Sequence, residues 1–165
     1  MSSEGLALRV GWGFDAHRFD EEPPLLLAGV VVSEEVGVAA TSDGDVLAHA
    51  VADALLGAAA LGDLGELFPS ADPASHGADS MALLAEVRAR IADAGWLPAQ
   101  VDATVVAETV RVAPHREAMR ARLAEVLGVE AGVVSVKATS TDGLGFLGRG
   151  EGIACVAVVT VRALS

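Results

Sequence analysis

Leu6-Ala7-Leu8-Arg9-Val10-Gly11-Trp12-Gly13-Phe14-Asp15-Ala16-His17 alternates along its length and predicts a strand. Its last three residues make it informative. On an extended strand, residues i and i+2 point to the same face, so Asp15 and His17 aim a carboxylate and an imidazole at one point. A second segment, His49-Ala50-Val51-Ala52-Asp53-Ala54-Leu55-Leu56, reads as a helix. His49, carried in by that helix, would complete an Asp/His/His set with one position open. Three protein ligands and an open position are the pattern of a functional zinc site rather than a structural one.

Outward from that stretch, Glu21-Glu22-Pro23-Pro24 breaks the strand, and Leu25 to Val32 reads as a hairpin arm interrupted at Gly29. Thr41-Ser42-Asp43-Gly44-Asp45 is a polar turn rich in helix-start residues, before a helix over Val46 to Leu61. Gly62-Asp63-Leu64-Gly65 ends that helix, and Phe68 to Pro73 is irregular. Ser80 to Ala94 is amphipathic, with Met81, Leu84, Val87 and Ile91 on one side. Val101 to Ala107, Val133 to Ala138 and Ile153 to Val161 predict strands. Pro114 suits the first turn of a helix ending near Gly128. Thr139 to Gly152 is polar and glycine-rich around Phe146. The alternation of strands and helices, without repeat or linker, predicts one α/β (α+β) domain over residues 1–165.

Composition narrows the partners. Lys and Arg number 11 against 23 Asp and Glu, a formal net charge of −12. That balance argues against nucleic acid and anionic membranes, which need a basic footprint. Phosphates remain accessible through metal ions, backbone N–H groups and a few arginines. The chain is 52% hydrophobic but 4% aromatic, so Ala, Val and Leu build the core. Cys155, the single cysteine, excludes an intramolecular disulfide and reads as a small buried hydrophobe. Met1 to Gly5 does not look like a signal peptide, and no stretch has the length of a membrane span. A cytoplasmic protein is expected.

Seven segments occur in order: Gly13-Phe14-Asp15-Ala16-His17, Ser42-Asp43-Gly44-Asp45-Val46, His49-Ala50, Asp53 to Ala58, Gly62-Asp63-Leu64-Gly65, Phe68-Pro69 and Gly148-Arg149-Gly150-Glu151-Gly152. On these, the chain resembles the 2-C-methyl-D-erythritol 2,4-cyclodiphosphate synthase family of the non-mevalonate isoprenoid pathway, from about Arg9 to Val161. The resemblance implies a phosphorus–oxygen lyase. Its substrate would be 4-diphosphocytidyl-2-C-methyl-D-erythritol 2-phosphate, and its products the cyclic diphosphate and CMP.

It also implies a fold and a site. A mostly antiparallel sheet would carry helices on one face, and three subunits would pack as a homotrimer around their sheets, with active sites between neighbours. Asp15, His17 and His49 would hold one Zn²⁺ per subunit. Asp142, in place of the family's Glu, would hold Mg²⁺ or Mn²⁺ with substrate. Thr139, Ser140 and Thr141 would contact the cytidyl diphosphate, Ser140 standing where the family has a threonine credited with transition-state stabilisation. Asp63, Leu64 and Gly65 would bind the erythritol part, with Phe68, Pro69, Ser70, Ala71 and Asp72 nearby. Ala107, Glu108, Thr109, Val110, Arg111, Val112 and Ala113 would form the cytosine pocket, mostly with backbone groups. Phe146 and Arg149 would face a threefold cavity able to take an isoprenoid diphosphate.

The departures from that pattern are specific. Thr41, beside Ser42, which by the resemblance would contact the substrate, replaces a histidine credited with helping the diphosphate through the transition state; it can donate a hydrogen bond but carries no charge. Val110 replaces a proline, Ser70 an aspartate, and Gly143 a lysine found in some members. Three functions therefore stand side by side: the active synthase, a zinc- and phosphate-binding relative with changed substrate or low turnover, and a non-catalytic isoprenoid-diphosphate binder. Several residues also have plainer readings. Asp53 is either a carboxylate supporting His49 or part of a polar helix face. His76 and His115 read as surface or capping groups, Trp12 and Trp96 as packing residues, and Glu151 as an arginine partner. Phe146 could be core, and Lys137 structural or close to the phosphates.

Overall fold

The computed structural model describes residues 7–164. The expected strand start at Leu6 and the reading of Met1 to Gly5 lie outside the described residues. The alternating segment forms β1 (Leu8–Asp20), running past His17 to Asp20. β2 (Leu25–Leu27) and β3 (Val30–Ser33) form both arms of a hairpin rather than one interrupted arm. Ala28 and Gly29 supply its turn with φ of 50° and 70°, the pair of positive values that a tight two-residue hairpin needs. β4 (Gly37–Val38) pairs with the end of β1.

α1 (Val46–Ala59) starts where Asp45 accepts from the Ala48 N–H and stops at Ala60, which turns left-handed. The short α2 (Leu64–Leu67), which begins inside the Gly62 to Gly65 segment expected only to end α1, exists because Asp63 caps it through the Glu66 N–H at 2.8 Å. α3 (Ser80–Asp93) buries Met81, Leu84, Val87 and Ile91, the stripe its spacing predicts. β5 (Trp96–Val106) begins five residues before the expected Val101, because it pairs with the final strand along its whole length; a register shift between Pro98 and Gln100 accommodates the proline. Pro114 lies in a 3₁₀ turn (Ala113–His115) that leads into α4 (Arg116–Leu127), and Gly128 closes it with a φ of 68°. β6 (Val134–Thr139), the one-turn α5 (Gly145–Gly148) and β7 (Gly152–Ala163) complete the chain.

The main sheet has the order β4-β1-β7-β5-β6. Every pair is antiparallel except β5 with β6, whose crossover is α4. The expected mostly antiparallel sheet with helices on one face is therefore what forms. α1 lies directly on β1 and β7. The strand faces it with Gly11 and Gly13, where a Cβ would fall onto the carbonyl oxygens of Ala54 and Ala50. The opposite face of β1 shows Leu8, Val10, Trp12 and Phe14 to solvent, joined by Val158 of β7. Trp12 is thus no core residue: it is 62% exposed and stacks on Phe14 with ring centres 6.2 Å apart. Trp96 is half-buried under the Arg9 guanidinium, 4.1 Å from its ring centre. Cys155 is fully buried, and burial pushes its thiol well above the usual range. Among the described residues, no helix is long and apolar enough to cross a membrane.

Candidate metal centre

β1 and α1 bring the three expected ligands together. Asp15 and His17 share a face of β1, and His49, on the first turn of α1, reaches them across the close glycine contact. Asp15 Oδ2 lies 3.0 Å from His17 Nε2 and 2.9 Å from His49 Nδ1. One donor atom from each of the three lies within 4.8 Å of the others, and no other trio of His, Cys, Asp or Glu among the described residues converges this way. His17 Nε2 is buried and makes no aligned hydrogen bond despite its closeness to the carboxylate. Such an orphaned nitrogen beside a carboxylate fits a shared cation, and the donor set suits zinc.

The electrostatics agree. Burial works against ionised Asp15, but His17 and His49 outweigh it and hold the carboxyl at about 2. Burial also disfavours protonated His17, yet Asp15, the Ala39 carbonyl and Asp43 together push its pKa above the usual value. A carboxylate is thus held ionised at neutral pH, as a metal ligand must be.

Behind His49 the ring is also held. Its Nε2 lies 2.8 Å from Ser80 Oγ and 3.2 Å from Ser42 Oγ. Ser80 in turn donates to Asp43 Oδ1 in a short bond, while Asp43 accepts from the backbone N–H groups of Ser80 and Asp45 at 3.0 and 3.2 Å. In the sequence Ser80 reads only as the start of a helix and Asp43 only as a turn residue. Asp53 does not support His49: its Oδ1 accepts from the Leu64 N–H at 3.1 Å and ties α2 to α1.

The ligands open into a cleft of about 360 Å³ that also has Thr41, Ser42, Leu64, Gly65, Phe68 and Ser70 in its wall. Of the expected erythritol residues, Leu64, Gly65, Phe68 and Ser70 share the cleft of the candidate ligands. Asp63 and Asp72 do not line it: their carboxylates cap local turns through Glu66 N–H and Ala74 N–H, and Pro69 and Ala71 lie on the exposed loop alongside. The expected cytosine loop is elsewhere. Thr109, Val110, Arg111 and His115 line a separate groove against Val31 to Val36, of about 940 Å³. Val112 and Ala107 are buried and do not line that groove; the Ala107 N–H is taken by the Thr139 carbonyl.

Glu108 has a role that sequence did not suggest. Its carboxylate accepts from the Thr141 N–H at 2.8 Å, the Thr141 hydroxyl at 3.1 Å and the Gly143 N–H at 3.4 Å. The Thr141 N–H leads in holding its pKa below the ordinary value. It clasps the turn of Ser140, Asp142 and Gly143, in which Asp142 has a φ of 52° and takes a 3.2 Å hydrogen bond from Ser140. Phe146 is 45% exposed rather than core, and lines a small cavity with Ala16, His17 and Arg18. Arg149 pairs with Glu151 at 2.8 Å, and Lys137 with Asp102 at 2.8 Å on the sheet surface. His76 and His115 cap nothing through their side chains.

These features define a class: a single α+β domain presenting an Asp/His/His centre, suited to a divalent ion, at the wall of an open cleft. The profile of the YgbB family matches residues 8–162, and the chain belongs to that family. A 2-C-methyl-D-erythritol 2,4-cyclodiphosphate synthase of Marinobacter nauticus is 52% identical over 158 residues, covering 96% of this chain and 99% of that one. The protein of the same name from Pseudomonas aeruginosa is 54% identical over 156 residues, 94% and 99% of the two chains. Among solved structures, the bifunctional IspDF of Campylobacter jejuni superposes with a TM-score of 0.94 at 40% identity; the match covers 98% of this chain and 44% of that longer one. The CDP complex of IspF from Plasmodium falciparum superposes with a TM-score of 0.83 at 30% identity, covering 96% and 97%.

Proposed function

We infer that this chain is a cyclodiphosphate synthase of isoprenoid precursor biosynthesis, acting in the cytoplasm on 4-diphosphocytidyl-2-C-methyl-D-erythritol 2-phosphate. The observation that carries the reading is the converged Asp15, His17 and His49 centre, opening on the cleft of Thr41, Ser42, Leu64 and Gly65, in a member of this family. An oxygen of the 2-phosphate attacks the β-phosphorus. A new P–O bond closes the ring as the bond from the β-phosphorus to the bridging oxygen breaks, and that oxygen leaves with CMP. No protein nucleophile is consumed, so positioning and charge neutralisation carry the catalysis.

Zinc held by Asp15, His17 and His49, and Mg²⁺ or Mn²⁺ held by Asp142, would supply Lewis-acid neutralisation of phosphate charge. The protein's own groups do the orienting. Ser42 and Thr41 present hydroxyls at the cleft. Ser140 and Thr141 would meet the diphosphate from the turn that Glu108 clasps, their hydroxyls turning from Asp142 and Glu108 to donate to it. The backbone from Ala107 to Ala113 offers groups to the cytosine.

The metal cleft and the groove of Thr109 to Arg111 share no wall residue, which supports a site completed by a neighbouring subunit. The apolar face of Leu8, Val10, Trp12, Phe14 and Val158 supports a homotrimer packed through its sheets, with Phe146 and Arg149 toward an axial cavity for an isoprenoid diphosphate. Sedimentation finding a stable monomer would overturn the trimer.

Phosphorus NMR of the protein with substrate, Zn²⁺ and Mg²⁺ tests the activity: cyclic diphosphate and CMP should appear together, and unchanged substrate with zinc bound would refute the reading. Thr41, where the family has a histidine, favours one second reading, a relative with low turnover or altered substrate. Thr41→His separates the two. A large rate gain marks the natural chain as impaired or specialised; an unchanged rate shows that a hydroxyl suffices.

A further inference from the structure

The hydrogen bonds behind His49 have a fixed direction. Ser80 Oγ lies between Asp43 Oδ1 and His49 Nε2. The Asp43 carboxylate also accepts two backbone N–H bonds, from Ser80 and Asp45, which hold it in place as the acceptor of the Ser80 hydroxyl. Ser80 has one hydroxyl proton, and it goes to Asp43. The Ser80 oxygen can then only accept from the imidazole, so Nε2 carries the ring proton and the lone pair of neutral His49 sits on Nδ1. That is the nitrogen 2.9 Å from Asp15 Oδ2. Two lone pairs facing each other at that distance repel unless a cation or a proton lies between them.

We propose that Ser80, held by Asp43, is a positioning residue of the metal centre: it fixes His49 as the Nε2–H tautomer and so selects Nδ1 as the metal-binding atom. The proposal rests on the reading of Asp15, His17 and His49 as a metal site. Ser80 is suited to the task because it is 1% exposed and heads α3, so water does not compete for the imidazole N–H there. The hydroxyl thereby joins a third element to the two that carry the ligands. Ser42 is a poorer holder. It is farther from Nε2, it lies in the cleft wall, and its oxygen also accepts from the Gly44 N–H at 3.3 Å. Hydrogen-bond partners of metal-bound imidazoles typically change metal affinity by about 10–100-fold when removed.

The test uses the full chain labelled with ¹⁵N-histidine, wild type and Ser80→Ala, with zinc affinity read by chelator competition and the melting temperature of the metal-free proteins read alongside. In zinc-loaded wild type, His49 should show a metal-bound Nδ1 and a slowly exchanging proton on Nε2. Ser80→Ala should bind zinc about 10–100-fold more weakly, and its Nε2 proton should exchange faster. Ser80→Thr, which keeps the hydroxyl, should recover most of the affinity. Coordination through Nε2 in wild type would overturn the proposal, as would unchanged affinity and an unchanged Nε2 signal in Ser80→Ala. Wild type that takes up no zinc would instead remove the metal reading, and this assignment with it. Should Ser80→Ala fail to fold, the tautomer seen in wild type decides alone.

Discussion

The metal cleft and the nucleotide-side loops are built on opposite plans. The three candidate metal ligands come from β1 and α1, two elements in close backbone contact, and their donor atoms converge within one chain. The turn of Ser140 to Gly143 is mostly exposed, lines no wall of the metal cleft, and is held by hydrogen bonds to two carboxylates, Glu108 and its own Asp142. The candidate Asp/His/His centre is pre-organised by the core, while the turn proposed to hold the second ion and the leaving nucleotide is set by hydrogen bonds at the surface.

The most disruptive way to break the comparison is at Gly13. Gly13→Val places a side chain where the Ala50 carbonyl already sits. It should cost ~4 kcal/mol or more, or prevent folding, and abolish zinc binding with it; a well-folded variant with stoichiometric zinc would show the approach of helix to strand to be dispensable. His49→Ala should remove only the chemistry. Stoichiometric zinc is lost and turnover falls by roughly 100-fold or more, while circular dichroism stays native. Retained zinc would contradict the ligand assignment.

Glu108→Ala probes the other half. KM for the cytidyl substrate should rise on the order of tenfold, as the loss of one or two backbone hydrogen bonds predicts, with zinc affinity unchanged. An equal loss of zinc would join the two regions into one. The smallest expected effect is a pH dependence at Asp45, which ties the Ala28-Gly29 turn to α1 through N–H bonds of 3.0 and 2.7 Å. Burial, against the pull of the Ala48, Gly29 and Ala28 N–H groups, pushes its carboxyl up to about 6. A raised folded-state value gives stability that is complete below the unfolded value of about 3.9 and lost as pH rises through about 6. Asp45→Asn does not titrate there. Metal-free wild type should therefore lose melting temperature relative to the variant from pH 4 to 7, and parallel curves would show the carboxyl to be unshifted.

What was legible from sequence follows the same division. The period-two pattern of β1 and the two-residue spacing of Asp15 and His17 are local, so strand and ligands could be read together. The stripe of Met81, Leu84, Val87 and Ile91 was equally plain. The clasp of Glu108 on Thr141 joins residues 33 apart, and that of Ser80 on His49 residues 31 apart; neither pair leaves a local pattern. Trp12 misled for a different reason. Alternation shows that a strand has two faces, but Gly11 and Gly13 on the helix side leave the large residues for the face that α1 does not cover. The hairpin was half-seen, because Ala28 gives no hint of the positive φ it adopts beside Gly29.

The glycine contact between β1 and α1 also has a kinetic consequence. Side-chain rotation alone frees one ligand at a time, whereas opening the centre requires a strand and a helix to part along a seam without side chains between them. Amides of that seam should therefore exchange their hydrogens on the timescale of global unfolding, whereas a bound ion, facing the open cleft, would leave by releasing its ligands one by one, so zinc exchange should be much faster than hydrogen exchange at those amides.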